Sequence, residues 1–342
     1  MQSFALYRLP YAKMYTLLTG EAREVVSMAS LSGQQGFVVA PFFMSADTPL
    51  MLISPQSVTL LTDISDVPLD LSESLGVAPP QPSGDPRAAY HIDFLNFHAH
   101  LLNGTFQKLV LARSMDMERP AKVSPLELFC RACDSYPRMF ITLVYTPQSG
   151  MWLAATPETL LAGDGDHWHT MALAGTQPYA EGITWKEKDV NEQRYVSTYI
   201  THQLERFAHH LREEGPYTAR AGHLAHLRSD FHFAMNDPSH VGDLLYALHP
   251  TPAVGGLPKQ EASRFIRHYE HQPRQYYSGF LGPLSVRSQS HLFVTLRCMR
   301  IYDDVCRLYA GGGLLAESVE ETEWQETESK LDTMRRLFID NV

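Results

Sequence analysis

Apolar positions divide the chain into many short strands and a few helices. From residue 1 to about 85 the apolar runs are brief (GFVVAPFF, MLISP, VTLLT) and bounded by turn residues, which predicts strands. They end in APPQPSGDPRAA, a polar, proline-rich stretch that reads as a loop or linker. From Tyr90 to Asn103 the period becomes helical through Phe94, Phe97 and Leu101. His98 and His100 face apart on such a helix, so they read as surface or packing residues. FQKLVLARSMDM is an apolar strand interrupted by Lys108 and Arg113, SPLELFCRACDSY a short helix, and MFITLVY and MWLAA a hairpin closed by TPQSG.

HWHTMALAGTQP predicts a further strand, ending in a turn at Gly175-Thr176. A long helix follows over Lys186–Arg212, with Val196, Tyr199, Gln203, Phe207 and Leu211 on its inner face. AHLRSDFHF is a strand carrying His226. DLLYALHPTPAVGGLPKQEASRFI then breaks one helix with prolines and glycines before another begins. HLFVTLRC alternates as one strand, with Leu292, Val294, Leu296 and Cys298 on one face and His291, Phe293, Thr295 and Arg297 on the other. VCRLYA continues into Gly311, Gly312 and Gly313, which read as a turn that lets backbone approach a ligand and aim N–H groups at an anion. The last helix starts at a capping box, Ser318 with Glu321. It sets Glu323, Glu326 and Lys330 on one face, with Leu331, Met334 and Phe338 further round.

Composition narrows the classes. The chain has 342 residues, 44% of them hydrophobic, enough for a substantial core in one large domain or two. Its formal charge of −10 argues against nucleic acid or an anionic membrane as partner. No apolar run reaches the ~20 residues of a membrane helix, and MQSFALYRLP lacks a basic, then long apolar, leader pattern. Four cysteines do not make a disulfide framework, which points to a reducing cytoplasm; Cys130 and Cys133 read as core.

The candidate chemistry is carried by a few charged side chains. Lys108 lies either at a solvated strand end or at a functional position, where a neutral amine serves as a base. Glu158, after a proline at a strand end, is either a cap or a half-buried acid. Glu192 reads as one solvated carboxylate among the charges of WKEKDVNEQRY, and His226 as a core or rim residue. Arg297, the glycines, Glu323, Glu326 and Lys330 suit a small dianion bound with a divalent metal, although Glu326 and Lys330 also read as an ordinary helical ion pair.

KLVLAR, TPETLLAG, LAGT, EKDVNEQ, HLRS, ALHPTPAVGG, YYSGFLG, TLRC, AGGG and EWQETESK follow one another in order. Together they resemble the successive motifs of chorismate-utilising enzymes, the isochorismate, salicylate, anthranilate and aminodeoxychorismate synthases. The resemblance covers about residues 90 to 340. It implies a single domain over 1–342, with 1–88 a divergent N-terminal part and 89–340 the motif-bearing part. The implied fold is α+β, with large antiparallel β-sheets packed at the core, helices outside and a cleft between. HPTPAVGG and Lys108 resemble the isochorismate synthase branch, as does Ala247, where salicylate synthases have threonine.

Carried over by that resemblance, Lys108 is the general base that activates water for attack at C2 of chorismate, and Glu158 the acid that protonates the departing C4 hydroxyl. Glu192 and Glu326 are magnesium ligands, with Glu323 close to the metal. Gly175, Thr176, His226, Ala247, Leu248, Tyr277, Arg297, Gly311, Gly312, Gly313 and Lys330 are substrate-contacting. Gln193 and Gln177 depart from the pattern, which usually has histidine and arginine there. A cytoplasmic monomer serving menaquinone or siderophore synthesis is the implied setting. Salicylate synthase with pyruvate release and a non-catalytic chorismate-binding relative are the alternatives.

Overall fold

The short apolar runs pair into one continuous antiparallel sheet. The structure, a computed structural model, describes residues 1–71, 73–81 and 85–339. Of the expected linker, Pro82–Gly84 lie outside the described residues, as do positions 340–342 of the expected domain. The strands are β1 Ser3–Arg8, β2 Tyr15–Val25, β3 Gly36–Ala40, β4 Leu50–Leu61, β5 Lys108–Glu118, β6 Phe140–Thr146, β7 Gly150–Thr156 and β8 Thr159–Asp164. They continue as β9 His167–Pro178, β10 Ala208–Ala221, β11 Leu224–Met235, β12 Gly256–Leu257, β13 Phe280–Leu284, β14 Ser290–Val294, β15 Cys298–Ile301 and β16 Val305–Leu314. The helices are α1 Pro86–Leu102, α2 Pro125–Ser135, α3 Glu187–Phe207, α4 Val241–Leu248, α5 Lys259–Tyr269 and α6 Glu320–Arg335.

The spatial order is β10-β11-β9-β8-β14-β13-β3-β4-β2-β1-β6-β7-β15-β16-β5-β12. Strands β1 to β4 therefore sit inside the sheet, between β13 and β6. The sheet folds back on itself. Phe140 of β6 stacks on Phe293 of β14 with centroids 4.2 Å apart, although several strands separate them along the ladder. That fold encloses a core containing Tyr7, Phe37, Trp152 and Phe293. A second core lies beneath α1, α3, α4 and α5, through Phe97, Ile200, Leu244 and Phe265. The third packs α2 and α6, through Phe129, Leu331 and Met334, onto the opposite outer face. Antiparallel sheet at the centre with helices outside is the α+β arrangement expected.

Helix starts follow local chemistry at α1 and α2. Asp85 and Ser124 accept the N–H groups of Arg87 and Glu127, and a proline occupies the first turn of each. Arg113 docks α6: it donates to Thr327 and Glu328, and its guanidinium lies 3.8 Å above the Trp324 ring.

Four local expectations are corrected. The long helix stops at Phe207, because residues 208–221 form β10 along β11; Leu211 is thus a strand residue. HLFVTLRC is two strands, since Arg297 has φ +45° and breaks the run before Cys298. Gly311–Gly313 are not a turn; they pair in β16 with Ala112, Leu111 and Val110 of β5. No capping box forms at Ser318, whose hydroxyl accepts from Leu315 N–H while Glu321 pairs with Arg87.

Candidate active site

Two short links carry the chain from one arm of the folded sheet to the other. Pro157–Glu158 joins β7 to β8, and Thr295–Arg297 joins β14 to β15. They run side by side: Val294 N–H donates to Glu158 O at 2.9 Å, and Ala155 N–H to Arg297 O at 2.9 Å. Proline removes a ladder donor in one link and the left-handed Arg297 turns the other. Both side chains are thereby aimed into one cavity of about 60 Å³ between the arms.

Glu158 is 3% exposed. Burial raises its pKa to about 8, against the opposing pull of Lys108, Arg297 and Lys330. It therefore holds its proton at neutral pH and can donate it, and the reading of Glu158 as a mere cap is set aside. Arg297 is buried as well; burial lowers its pKa to about 10, which leaves it charged.

His226 owes its aim to a bulge. Gly175, at φ +68°, and Thr176 together oppose His226 where the β9–β11 register shifts, so β9 continues past the expected turn. His226 Nδ1 lies 2.8 Å from Gly175 O and Nε2 lies 3.3 Å from Arg297 Nη2. An imidazole that donates from Nδ1 and accepts at Nε2 is neutral, and burial beside Arg297 lowers its pKa to about 3. The Tyr277 ring completes this side, stacked 5.7 Å from Tyr309.

Lys108, the first residue of β5, is completely buried rather than at a solvated end. Its Nζ lies 2.9 Å from Glu192 Oε1, an ion-pair contact without hydrogen-bond alignment. Glu192 is itself buried, which corrects its reading as a solvated carboxylate. Desolvation pushes its pKa up, but Lys108, Lys188 and Lys330 outweigh that and the net shift is downward. The glycines of β16 make room for this packing. A Cβ on Gly313 would stand 2.1 Å from Glu192 Oε1.

On α6, Lys330 Nζ bonds Glu326 Oε1 at 2.6 Å and Gly311 O at 2.8 Å, while the buried Glu323 pairs with Lys188 of α3. Burial raises the Glu323 pKa to about 7, with Lys188 opposing and Glu326 adding to the shift. Among the described residues no three side chains form a ready-made metal-binding group; each of the three glutamates is paired with a lysine. The residues nevertheless fit a hard divalent cation. Glu323 Oε2 is buried without a hydrogen-bond partner. A Cβ on Gly312 would stand 3.6 Å from Glu323 Oε2 and 3.7 Å from Glu326 Oε1, so both oxygens face the space above that glycine. An all-oxygen donor set suits magnesium over zinc.

Ala247 and Leu248 are not brought to this cavity. Leu248 lies in the α-side core and Ala247 lines a separate cavity. The same loop reaches the site through Ala253 and Val254 instead. Sequence reasoning also passed over Lys188, which pairs with the buried Glu323. Gln193 is buried, its amide donating to Ala172 O at 3.3 Å and Ser229 Oγ at 3.4 Å, and Gln177 bonds Thr184 O.

A family model described as "Chorismate binding enzyme" matches residues 83–339. The isochorismate synthase EntC of Escherichia coli (strain K12) is 30% identical over 242 residues, 68% of this chain and 62% of its own length. DhbC of Bacillus subtilis (strain 168), also named isochorismate synthase, is 30% identical over 263 residues, 71% of this chain and 66% of its own. The matched region thus spans just under two thirds of the length of these curated relatives. The crystal structure of DhbC from Bacillus anthracis, titled as a 2,3-dihydroxybenzoate-specific isochorismate synthase, superposes with a TM-score of 0.83 at 24% identity, covering 98% of this chain and 96% of that one. With three quarters of its residues under the family model and this fold, the chain belongs to the chorismate-binding enzyme family.

Proposed function

We propose that the protein is an isochorismate synthase, an isomerase that converts chorismate to isochorismate. The observation that carries this reading is Glu158, buried and protonated at neutral pH on the cavity wall, with Lys108 buried behind that wall, against the lining residue Glu192 and within electrostatic reach of Glu158. The names of the curated relatives point the same way.

In this reading Lys108, once parted from Glu192 and in its amine form, takes a proton from water as the oxygen bonds to C2 of the ring. The ring double bonds shift, the C4–O bond breaks, and Glu158 gives its proton to the departing hydroxyl, which leaves as water. Atoms and charge balance, and each proton transfer contributes roughly 10²–10⁴-fold. Glu192 and Glu326, with Glu323 beside them, would hold a magnesium ion, whose chemistry here is to bind and neutralise the ring carboxylate. Arg297, Tyr277 and His226 would hold the enolpyruvyl side. Neutral His226 adds a positioned acceptor that keeps the Arg297 guanidinium in place.

Four free cysteines support a reducing compartment such as the cytoplasm, and no described helix is long and apolar enough to cross a membrane. Purified protein incubated with chorismate, with and without magnesium, and resolved by chromatography tests the activity. Magnesium-dependent isochorismate without pyruvate is the expected result. Salicylate with pyruvate would move the protein to the lyase branch, and unchanged chorismate would overturn the assignment.

A further inference from the structure

Another cavity, larger than the one lined by Glu158, lies elsewhere in the fold. It measures about 1030 Å³, at the upper end of the ~300–1,000 Å³ range of small-molecule sites. It lies between the N-terminal segments around Met28 and Phe42–Met44 and the helices α3, α4 and α5. Its apolar side is formed by Phe42 and Phe43, whose rings are 4.3 Å apart, and its other side by Tyr199 of α3 and Tyr246 of α4.

Lys259, the first residue of α5, stands between the two tyrosines. Its Nζ lies 5.7 Å and 5.9 Å from their ring centroids and donates to Ala247 O at 2.7 Å and Tyr246 O at 3.0 Å. Among the described residues no carboxylate pairs with it. Arg206 and Arg264 line the same cavity, also without an ion-pair partner among the described residues. Of the two carboxylates on the wall, Asp243 is held by His240 at 2.7 Å, which leaves Glu261. Arg206 and Arg264, with Lys259 in its ammonium form, outnumber Glu261, the one wall carboxylate among the described residues not held by another side chain, a local excess of positive charge in a chain of formal charge −10. Burial lowers the Lys259 pKa to about 7, as it does for an ammonium held by carbonyls and no anion.

We propose that this cavity is a second ligand site, for a small aromatic carboxylate whose acid group meets Lys259 and whose ring lies between the tyrosines and the Phe42–Phe43 wall. The proposal is independent of the reaction assigned to the catalytic cavity. The two sites are nevertheless joined. Tyr199 O–H, like Lys259, donates to Ala247 O, at 2.6 Å. Ala247 lies in the last turn of α4, whose following loop reaches the catalytic side through Ala253 and Val254, and Tyr199 lies two helical turns beyond Glu192 on α3.

Calorimetric titration of the full chain with benzoate tests it, with acetate as charge without ring and benzyl alcohol as ring without charge. Benzoate is expected to bind one per chain, and each partial probe at least about tenfold more weakly. Lys259→Met should abolish benzoate binding and Lys259→Arg should retain it. Tyr246 is 67% exposed, so Tyr246→Ala leaves folding intact and should weaken binding about tenfold. Lys108→Ala, which alters only the catalytic cavity, should leave benzoate affinity unchanged. Absence of benzoate binding, equal binding of acetate or benzyl alcohol, or loss in Lys108→Ala with retention in Tyr246→Ala would each overturn the proposal.

Discussion

A carboxyl that keeps its proton to about pH 8 is the residue on which the proposed chemistry turns. Its acid form is lost as pH rises through that value, so turnover should fall above about pH 8. Glu158→Gln, which has no proton to give, should lose roughly 10²–10⁴-fold and that alkaline limb with it; a pH–rate profile of both proteins checks this. Lys108→Ala should lose turnover to a similar degree while circular dichroism stays native, and normal activity in that variant would remove the base. Gly313→Ala places a methyl group where Glu192 Oε1 now lies, so it should weaken magnesium affinity, measured by titration, without unfolding the sheet. Lys108 and Glu158 were legible as a cation and an acid at strand ends. The burial of Glu192 was not, because a carboxylate in a charged first turn reads as solvated until β5 supplies the lysine that faces it.

At the scale of elements, the strands and helices with clear periodicity are where the pattern places them, and the departures lie where tertiary pairing overrides it. Residues 208–212 continue the helical pattern, yet they pair with β11 as the start of β10, which no local signal reveals. Alternation through HLFVTLRC is unbroken in sequence, but the chain turns at Arg297 because its neighbours on the two sides belong to different arms of the sheet. The backbone and the guanidinium of Arg297 can be separated by mutation. Arg297→Gly should be more stable than Arg297→Ala by about 1 kcal/mol in denaturant unfolding, since only glycine adopts φ +45° without cost. Both variants should raise the KM for chorismate equally.

For the whole molecule, the antiparallel α+β fold was implied by the family resemblance of the ordered motifs, and the many short strands with few helices agree with it. The continuity of the sheet was not legible, because its order is set by pairings between distant segments such as β8 with β14 and β7 with β15. Stability against pH follows from groups scattered across it. Glu158 and Glu323 have raised pKa values of about 8 and 7. They bind protons in the folded state that the unfolded chain has released above about pH 4.5, so their contribution falls as pH rises through 7 to 8. His226 and His249 have lowered values of about 3, so the unfolded chain takes up protons below about pH 6.5 that the fold refuses, and their contribution is lost as pH falls toward 3. Between about pH 4.5 and 6.5 the two slopes oppose one another. Thermal unfolding of the metal-free protein should therefore show a plateau there, with stability falling below about pH 4.5 and again between about pH 6.5 and 7. Above about pH 7, Lys259, lowered from 10.5 to about 7, contributes in the opposite sense to Glu158.

The paired links Pro157–Glu158 and Thr295–Arg297 constrain chain length as well as residue type. Each is hydrogen-bonded to the other and continues on both sides into paired strands, of which the β8–β14 ladder already contains one register shift beside the links, between Leu292 and Phe293. One added residue in either link would slip a flanking strand by a position and turn its inward side chains outward. Insertions and deletions, tolerated at surface loops, should thus be excluded here, even when the added residue is a glycine placed well clear of Glu158 and Arg297 themselves.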